Sequence, residues 1–247
     1  MIDDKISSYY EFDYNYYQEI INEIKKNYSI INTVKNKNII KKYCLLRHDI
    51  DVCPKIALNF AKFENTIGVN SLYMFLADSN FYKLEDNILE ILEIMNMGHE
   101  IGIHFDCSKT SKENINKDIE DVKFKFSKLF NIKVNSISFH RPSQELIGGK
   151  KLINDLYNCY SKELVKYYIS DSRYRWRVGD PIKYIKKGYP NLQLLTHPIW
   201  WSEKEKNPIN NFLTYFNDRT KSFSYAEKEN LKNLILEDFP SLKKIIY

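Results

Sequence analysis

The stretch Tyr43-Cys44-Leu45-Leu46-Arg47-His48-Asp49-Ile50-Asp51, followed by Pro54, decides how this chain is read. Four apolar residues have the length and composition of a buried strand, and they end abruptly in charged side chains. Pro54 is then well placed to open a helix, because its missing N–H would be unsatisfied there anyway. Ile56, Phe60, Phe63 and Ile67 follow at steps of four, three and four, and Gly68 marks the helix end. A strand that feeds a helix directly is the unit of a parallel β/α fold.

The same alternation continues along the chain. Residues 71–77 read as a strand. Leu84, Ile88, Ile91, Leu92 and Met95 share a helical face that ends at Gly98. Residues 99–105 alternate as a strand, with Ile101 and Ile103 on one side. Thr110 and Glu113 have capping-box spacing, ahead of a helix carrying Ile115, Ile119, Val122, Phe126 and Leu129. Residues 134–139 read as a strand, 150–158 as a helix, 166–170 and 192–196 as strands. An N-terminal helix over 16–27 and mostly helical residues from Asn207 onward complete the pattern. Repeated units of this kind imply a parallel sheet with right-handed crossovers, either a barrel or an open doubly wound sheet. The absence of a Gly-x-Gly-x-x-Gly or phosphate-loop sequence argues against the nucleotide-binding open sheet. No linker divides residues 1–247, so one domain is expected.

Composition narrows the function classes. Lys and Arg total 37 against 32 Asp and Glu, a net charge of +5, with the lysines spread over the expected helix surfaces. A nucleic-acid binder would more often gather such charge into one face. Apolar runs stay far below the roughly 20 residues of a membrane-spanning helix. The N-terminus lacks the basic start and apolar stretch of a secretory signal, which makes the cytoplasm the expected compartment. The four cysteines sit at no zinc-finger spacing and are expected as reduced, mostly buried thiols.

The polar residues fall at telling places. Asp49 and Asp51, His104 and Asp106, His140 and Arg141, Asp171, and His197 each lie at the C-terminal end of an expected strand. In parallel β/α folds that edge builds the substrate site. Of the five histidines, only His99 stands elsewhere, and its distance of five residues from His104 points the two to opposite faces. His99 is therefore read as structural, and His48, out of phase with Asp49, as support. A paired carboxylate at a site mouth can divide labour between a metal and a proton. Asp51 could instead cap the helix that opens at Pro54.

In order along the chain, these segments resemble the motifs of the polysaccharide deacetylases, carbohydrate esterases with a NodB-homology domain. Arg47-His48-Asp49-Ile50-Asp51 resembles the first motif, and Gly98-His99-Glu100-Ile101-Gly102-Ile103-His104 the second. Ser138-Phe139-His140-Arg141-Pro142-Ser143 resembles the third, Tyr168-Ile169-Ser170-Asp171-Ser172 with Trp176 the fourth, and Leu194-Leu195-Thr196-His197-Pro198 with Trp200-Trp201 the fifth. The resemblance covers approximately 43–201 and is strongest to the subgroup associated with bacterial surface-polysaccharide biosynthesis. It implies a distorted parallel β/α barrel, here with extra N- and C-terminal helices, and metal-dependent removal of an N-acetyl group from an amino sugar. By position it implies Asp49 as base, Arg141 as the residue that tunes it, His197 as acid, and Asp51 and His104 as metal ligands. Asp171, Trp176 and Trp200 are the expected substrate-binding residues.

One departure bears on the metal. The family's second motif carries another histidine four residues after the first, and here that position is Ser108. His140, beside the matched Arg141, is the first choice for a third ligand, then Asp106, then Cys107. An Asp/His/His set suits zinc; Asp106 in place of His140 would favour manganese or another harder ion, with iron, cobalt and nickel as further alternatives. With no export signal expected, the substrate would be a nucleotide-linked or lipid-linked amino sugar. Two other readings stay open: a hydrolase of cyclic amides or ureides, with or without metal, and a non-catalytic sugar-binding or scaffold protein.

Overall fold

The structure is a computed structural model that describes residues 11–33, 35, 42–142 and 146–243. Strands β1 (Ser29–Ile31), β2 (Tyr43–Ile50), β3 (Leu72–Leu76), β4 (Glu100–Asp106), β5 (Ser136–His140), β6 (Leu152–Ile153), β7 (Leu156–Asn158), β8 (Tyr167–Ser170) and β9 (Leu192–Thr196) form one sheet in the order β6-β7-β5-β4-β3-β2-β9-β8, with β1 also on β2. Every pairing is parallel except that of β6 with β7. The helices are α1 (Tyr14–Asn27), α2 (Pro54–Thr66), α3 (Ile88–Asn96), α4 (Ile115–Phe130), α5 (Pro181–Lys186), α6 (Pro208–Thr220) and α7 (Tyr225–Asp238). Among the described residues no helix is long and apolar enough to cross a membrane.

The sheet curls until its two ends face each other. Tyr43 on β2 donates its hydroxyl proton to the Leu164 carbonyl, and the Arg47 guanidinium lies 4.8 Å from the centroid of the Tyr160 ring, beyond the end of β7. Tyr160 in turn approaches Tyr168 on β8 at a centroid distance of 6.5 Å. Side chains meet across this seam where a closed barrel would have a hydrogen-bonded ladder. The result is the distorted, open parallel β/α barrel that the motif resemblance implies, one of the two arrangements the alternating pattern leaves open.

The period of two along the strands sorts residues into an inner and an outer set. Leu45, Leu72 and Met74 pack inside, with Cys159 and Leu164 from the loop after β7. Outside, Cys44, Leu46, Leu192, Leu194 and Ile169 meet α1, α6 and a cluster of Phe12, Trp176, Trp200 and Trp201. Tyr73, Phe75, Ile101, Ile103 and Ile137 meet α2, α3 and α4. Gly102 is required by this inner packing: a Cβ there would stand 2.3 Å from Met74 Sδ and 3.2 Å from the Ser136 carbonyl oxygen.

Two local expectations are corrected. Residues 150–158 form a hairpin, β6 and β7, where a helix was expected. Asn154 and Asp155 at its tip have φ of 48° and 63°, the left-handed pair that a tight two-residue hairpin turn needs and that Asn and Asp tolerate. The Thr110–Glu113 capping box does not form, because α4 starts later, at Ile115, and Thr110 Oγ1 bonds Asp118 instead. The four cysteines are free thiols, Cys44 and Cys159 buried.

Candidate active site

The C-terminal ends of the inner strands converge on one cavity of about 740 Å³, whose lining includes Asp49, Asp51, His104, His140 and His197. The register accounts for this: Asp49 stands beside Met74, Leu76 beside His104, and Asp106 beside His140, so neighbouring strands end at nearly one level. The side chains of Asp49, Asp51 and His104 are almost wholly buried at the cavity floor.

Asp51, His104 and His140 bring one ligand atom each within 4.8 Å of one another. Asp51 Oδ1 is buried without a well-aligned hydrogen bond, 3.3 Å from His104 Nε2 and 3.6 Å from His140 Nδ1. Two imidazole nitrogens aimed at a single buried carboxylate oxygen place three potential ligand atoms around one point. Burial disfavours charge on His140 and lowers its pKa despite Asp51, which keeps the ring neutral and its lone pair available. Burial works against the Asp51 carboxylate too, but the three nearby imidazoles outweigh it and hold Asp51 well below the usual carboxylate range. A divalent cation fits this set of one carboxylate and two imidazoles. His104 is oriented from behind, its Nδ1 lying 2.7 Å from Ser138 Oγ. The helix-cap alternative for Asp51 is not realised: Cys53 occupies the N-cap of α2, and no side chain bonds there.

Asp49 is gripped by Arg47, whose Nε donates to Oδ1 at 2.8 Å and whose Nη2 donates to Oδ2 at 2.6 Å. Both side chains are buried. Burial raises the Asp49 pKa, yet Arg47, His104 and His197 together bring it below its ordinary value. Sequence reading assigned this tuning role to Arg141, and the structure corrects it. Arg141, with φ of 52° directly after His140, also lines the cavity, but its guanidinium bonds Asp238 at the end of α7, and Arg47 is the arginine that bonds Asp49. Arg47 was legible in principle, since a residue two places before Asp49 in a strand shares its face.

His197 Nδ1 lies 2.6 Å from Asp171 Oδ1, and Nε2 points into the cavity, 3.9 Å from Asp51 Oδ2. Asp171 is fully buried and also accepts from the His197 backbone N–H and from Trp201 Nε1 at 2.8 Å. Burial disfavours charge on the ring, but Asp171, its hydrogen bond, Asp51 and Asp49 push His197 up to about 9. Asp171 therefore positions His197, where a substrate contact was expected. Trp176 is likewise corrected: it stacks on Phe12 in the outer core, away from the cavity. Trp200 does line the cavity, braced by Tyr174, Phe212 and Phe239.

The alternatives for a third ligand are also placed. Asp106 Oδ1 accepts from the Ser108 backbone N–H at 2.9 Å and from Ser108 Oγ at 2.7 Å, which commits it to capping the turn Cys107–Lys109. Cys107 packs against the outer core, and burial pushes its thiol up to about 12. His48 and His99 point away from the cavity, toward Glu64 on α2. Sequence reading overlooked Glu64, a charged residue on the buried face of an amphipathic helix.

No family model matches the sequence, and no curated protein matches it. Solved structures do resemble its chain course. The carbohydrate esterase (CE4) domain of a multidomain xylanase from the hindgut metagenome of Trinervitermes trinervoides is 12% identical, with 64% of this chain and 74% of that one covered and a TM-score of 0.41. A family 4 carbohydrate esterase from Bacillus anthracis is 12% identical over 83% of this chain and 87% of that one, at 0.38. A CE4 pseudoenzyme, also from Bacillus anthracis, is 10% identical over 80% and 66%, at 0.42. At this level no residue role is carried over from them.

Proposed function

We propose that this chain is a metal-dependent amidohydrolase that removes an acyl group, acetyl first among them, from an amino sugar. The observation that carries the reading is the grouping at one cavity floor of an arginine-held carboxylate, an Asp/His/His set and an aspartate-backed histidine. Asp51, His104 and His140 would hold the cation, with zinc the best match to the donors. When bound, such an ion polarises the acyl carbonyl and lowers the pKa of water beside it.

The chain's own residues supply the proton transfers. Asp49, kept ionised and fixed by Arg47, takes a proton from the attacking water. His197, kept protonated by Asp171, gives the proton on Nε2 to the leaving nitrogen as the C–N bond breaks. Asp49 and His197 each follow a paired residue, His48 and Thr196, on the neighbouring strands β2 and β9, so both groups can reach one amide. Trp200 backs the cavity wall from the outer core and is almost wholly buried there. The place of this reaction in cytoplasmic building of a surface glycan rests on the motif resemblance.

The test measures zinc by equilibrium dialysis and free amine released from N-acetylated sugars. One zinc per chain and amine release from the zinc-loaded protein are expected, with both lost in His140→Ala. Zinc-loaded protein that releases no amine from any N-acetylated sugar would overturn the reading.

A further inference from the structure

The cavity does not stop at the metal-ligand set. It continues along the open seam of the barrel, where, among the described residues, β8 has no partner strand on the side facing the loop after β7. Lys162 and Lys166, before β8, and Arg173 and Arg177, after it, all line this part. The four side chains are exposed, and none takes part in an ion pair with a described residue. The acids of the cavity stand elsewhere: Asp49 and Asp51 at the floor, Asp238 in its pair with Arg141, and Glu237 beside it at the end of α7.

Two local features hold the cations at the cavity. Gly148 has φ of 76°, and a Cβ there would meet Lys162 Cε at 3.1 Å and Cδ at 3.5 Å, so the lysine stem lies flat across the glycine. Arg173 and Tyr174 have consecutive φ of 60° and 50°, an unfavoured conformation for side chains of that size, and this turn puts Arg173 on the cavity wall. Four unneutralised cations along one cavity repel one another and carry a free-energy cost that a bound anion relieves.

From this we infer that the seam beside β8 is an anion subsite, at which Lys162, Lys166, Arg173 and Arg177 bind a phosphate or diphosphate attached to the amino sugar. The inference rests on the amino-sugar reading above and adds what the far end of the substrate carries. A diphosphate suits the site because its charge is spread along a short chain, as the cations are spread along the seam. A nucleoside and a lipid can both supply that group, and the subsite recognises what they share.

Calorimetric binding, with the zinc-free full-length chain so that nothing is turned over, tests it with four probes. They are a methyl glycoside of an N-acetylamino sugar, its 1-phosphate, its nucleoside diphosphate form, and its short-chain polyprenyl diphosphate form in neutral detergent micelles. At least one diphosphate form is expected to bind about tenfold or more tighter than the glycoside, with a gap that narrows in high salt. The variant pairs Lys162→Ser with Lys166→Ser, and Arg173→Ser with Arg177→Ser, are each expected to weaken it about tenfold at unchanged Tm and zinc stoichiometry. Preference for the nucleoside or the polyprenyl form names the carrier. Equal binding of charged and uncharged probes, no binding of any, or diphosphate binding unaltered in both variant pairs would overturn the subsite. Failure of amine release leaves this binding result standing, so the two proposals fail separately.

Discussion

At the scale of single residues, the site is governed by two buried contacts that reverse what burial alone would do. Arg47 and Asp49 form a bidentate pair with both side chains out of water. Removing one member of such a pair leaves an uncompensated charge, at a cost of about 3–5 kcal/mol. Arg47→Met is therefore expected to lower Tm by many degrees and to raise the Asp49 pKa, with denaturant melts and a pH–rate profile as the readouts. Arg47→Lys keeps the charge but cannot make both bonds, and a partial loss is expected. Asp171 acts on His197 in the opposite sense, favouring the protonated ring. In the metal-free chain the His197 ring is expected to titrate near 9, and in Asp171→Asn to move down toward its ordinary value of 6.5, as followed by NMR. Because the folded pKa lies above the unfolded one, the stability from this pair is fully present below pH 6.5 and is lost as pH rises through about 9. An unmoved ring pKa in the variant would remove Asp171 from its positioning role.

At the scale of elements, strand register and close packing decide which side chains reach the cavity. β4 carries Gly102 and His104 on its inner face, and Met74 on β3 fills the space that Gly102 leaves. Gly102→Ala would drive a methyl group into Met74 and the Ser136 carbonyl. Overpacking of this kind costs about 1–3 kcal/mol, and the shift it forces is passed along β4 to His104. Lower Tm together with weaker zinc binding is expected. A loss of Tm with zinc affinity unchanged would show that β4 absorbs the methyl without moving the ligand.

For the whole molecule, the polar network on the far side of the sheet ties three elements together. Glu64 on α2 accepts from Tyr17 on α1 at 2.5 Å, from Ser71 at 2.6 Å and from Tyr73 on β3 at 2.7 Å, and it faces both His48 and His99. Burial disfavours its charge, but these partners, His48 first, lower its pKa to about 2. A carboxylate held below its ordinary 4.5 contributes stability that is present above pH 4.5 and lost as pH falls through about 2. Acid unfolding of the wild type is expected to include this group. In Glu64→Gln overall stability should fall and its dependence on pH between 4.5 and 2 should flatten, as read from denaturant midpoints across that range. An unchanged pH slope would show that other carboxylates govern acid unfolding.

The sequence by itself determined the alternation of strands and helices, the parallel sheet and the strand-end placement of Asp49, Asp51, His104, His140 and His197, because period and strand direction are local properties. It also separated His99 from His104, since five steps along a strand reverse the face. The rest depended on contacts between residues far apart. Arg141 and Arg47 flank the site equally well on paper, and only the folded contacts, Arg141 on Asp238 at the end of α7 and Arg47 on Asp49, decided which of them holds the carboxylate. The hairpin at 150–158 shows the same limit: a short apolar pattern fits a helix or a strand, and the edge of the sheet offered by β5 chose the strand. The role of Asp171 and the cationic seam beside β8 arise where the sheet curls and its ends meet, and a curl of that kind is a property of the assembled strands that no single stretch of chain encodes.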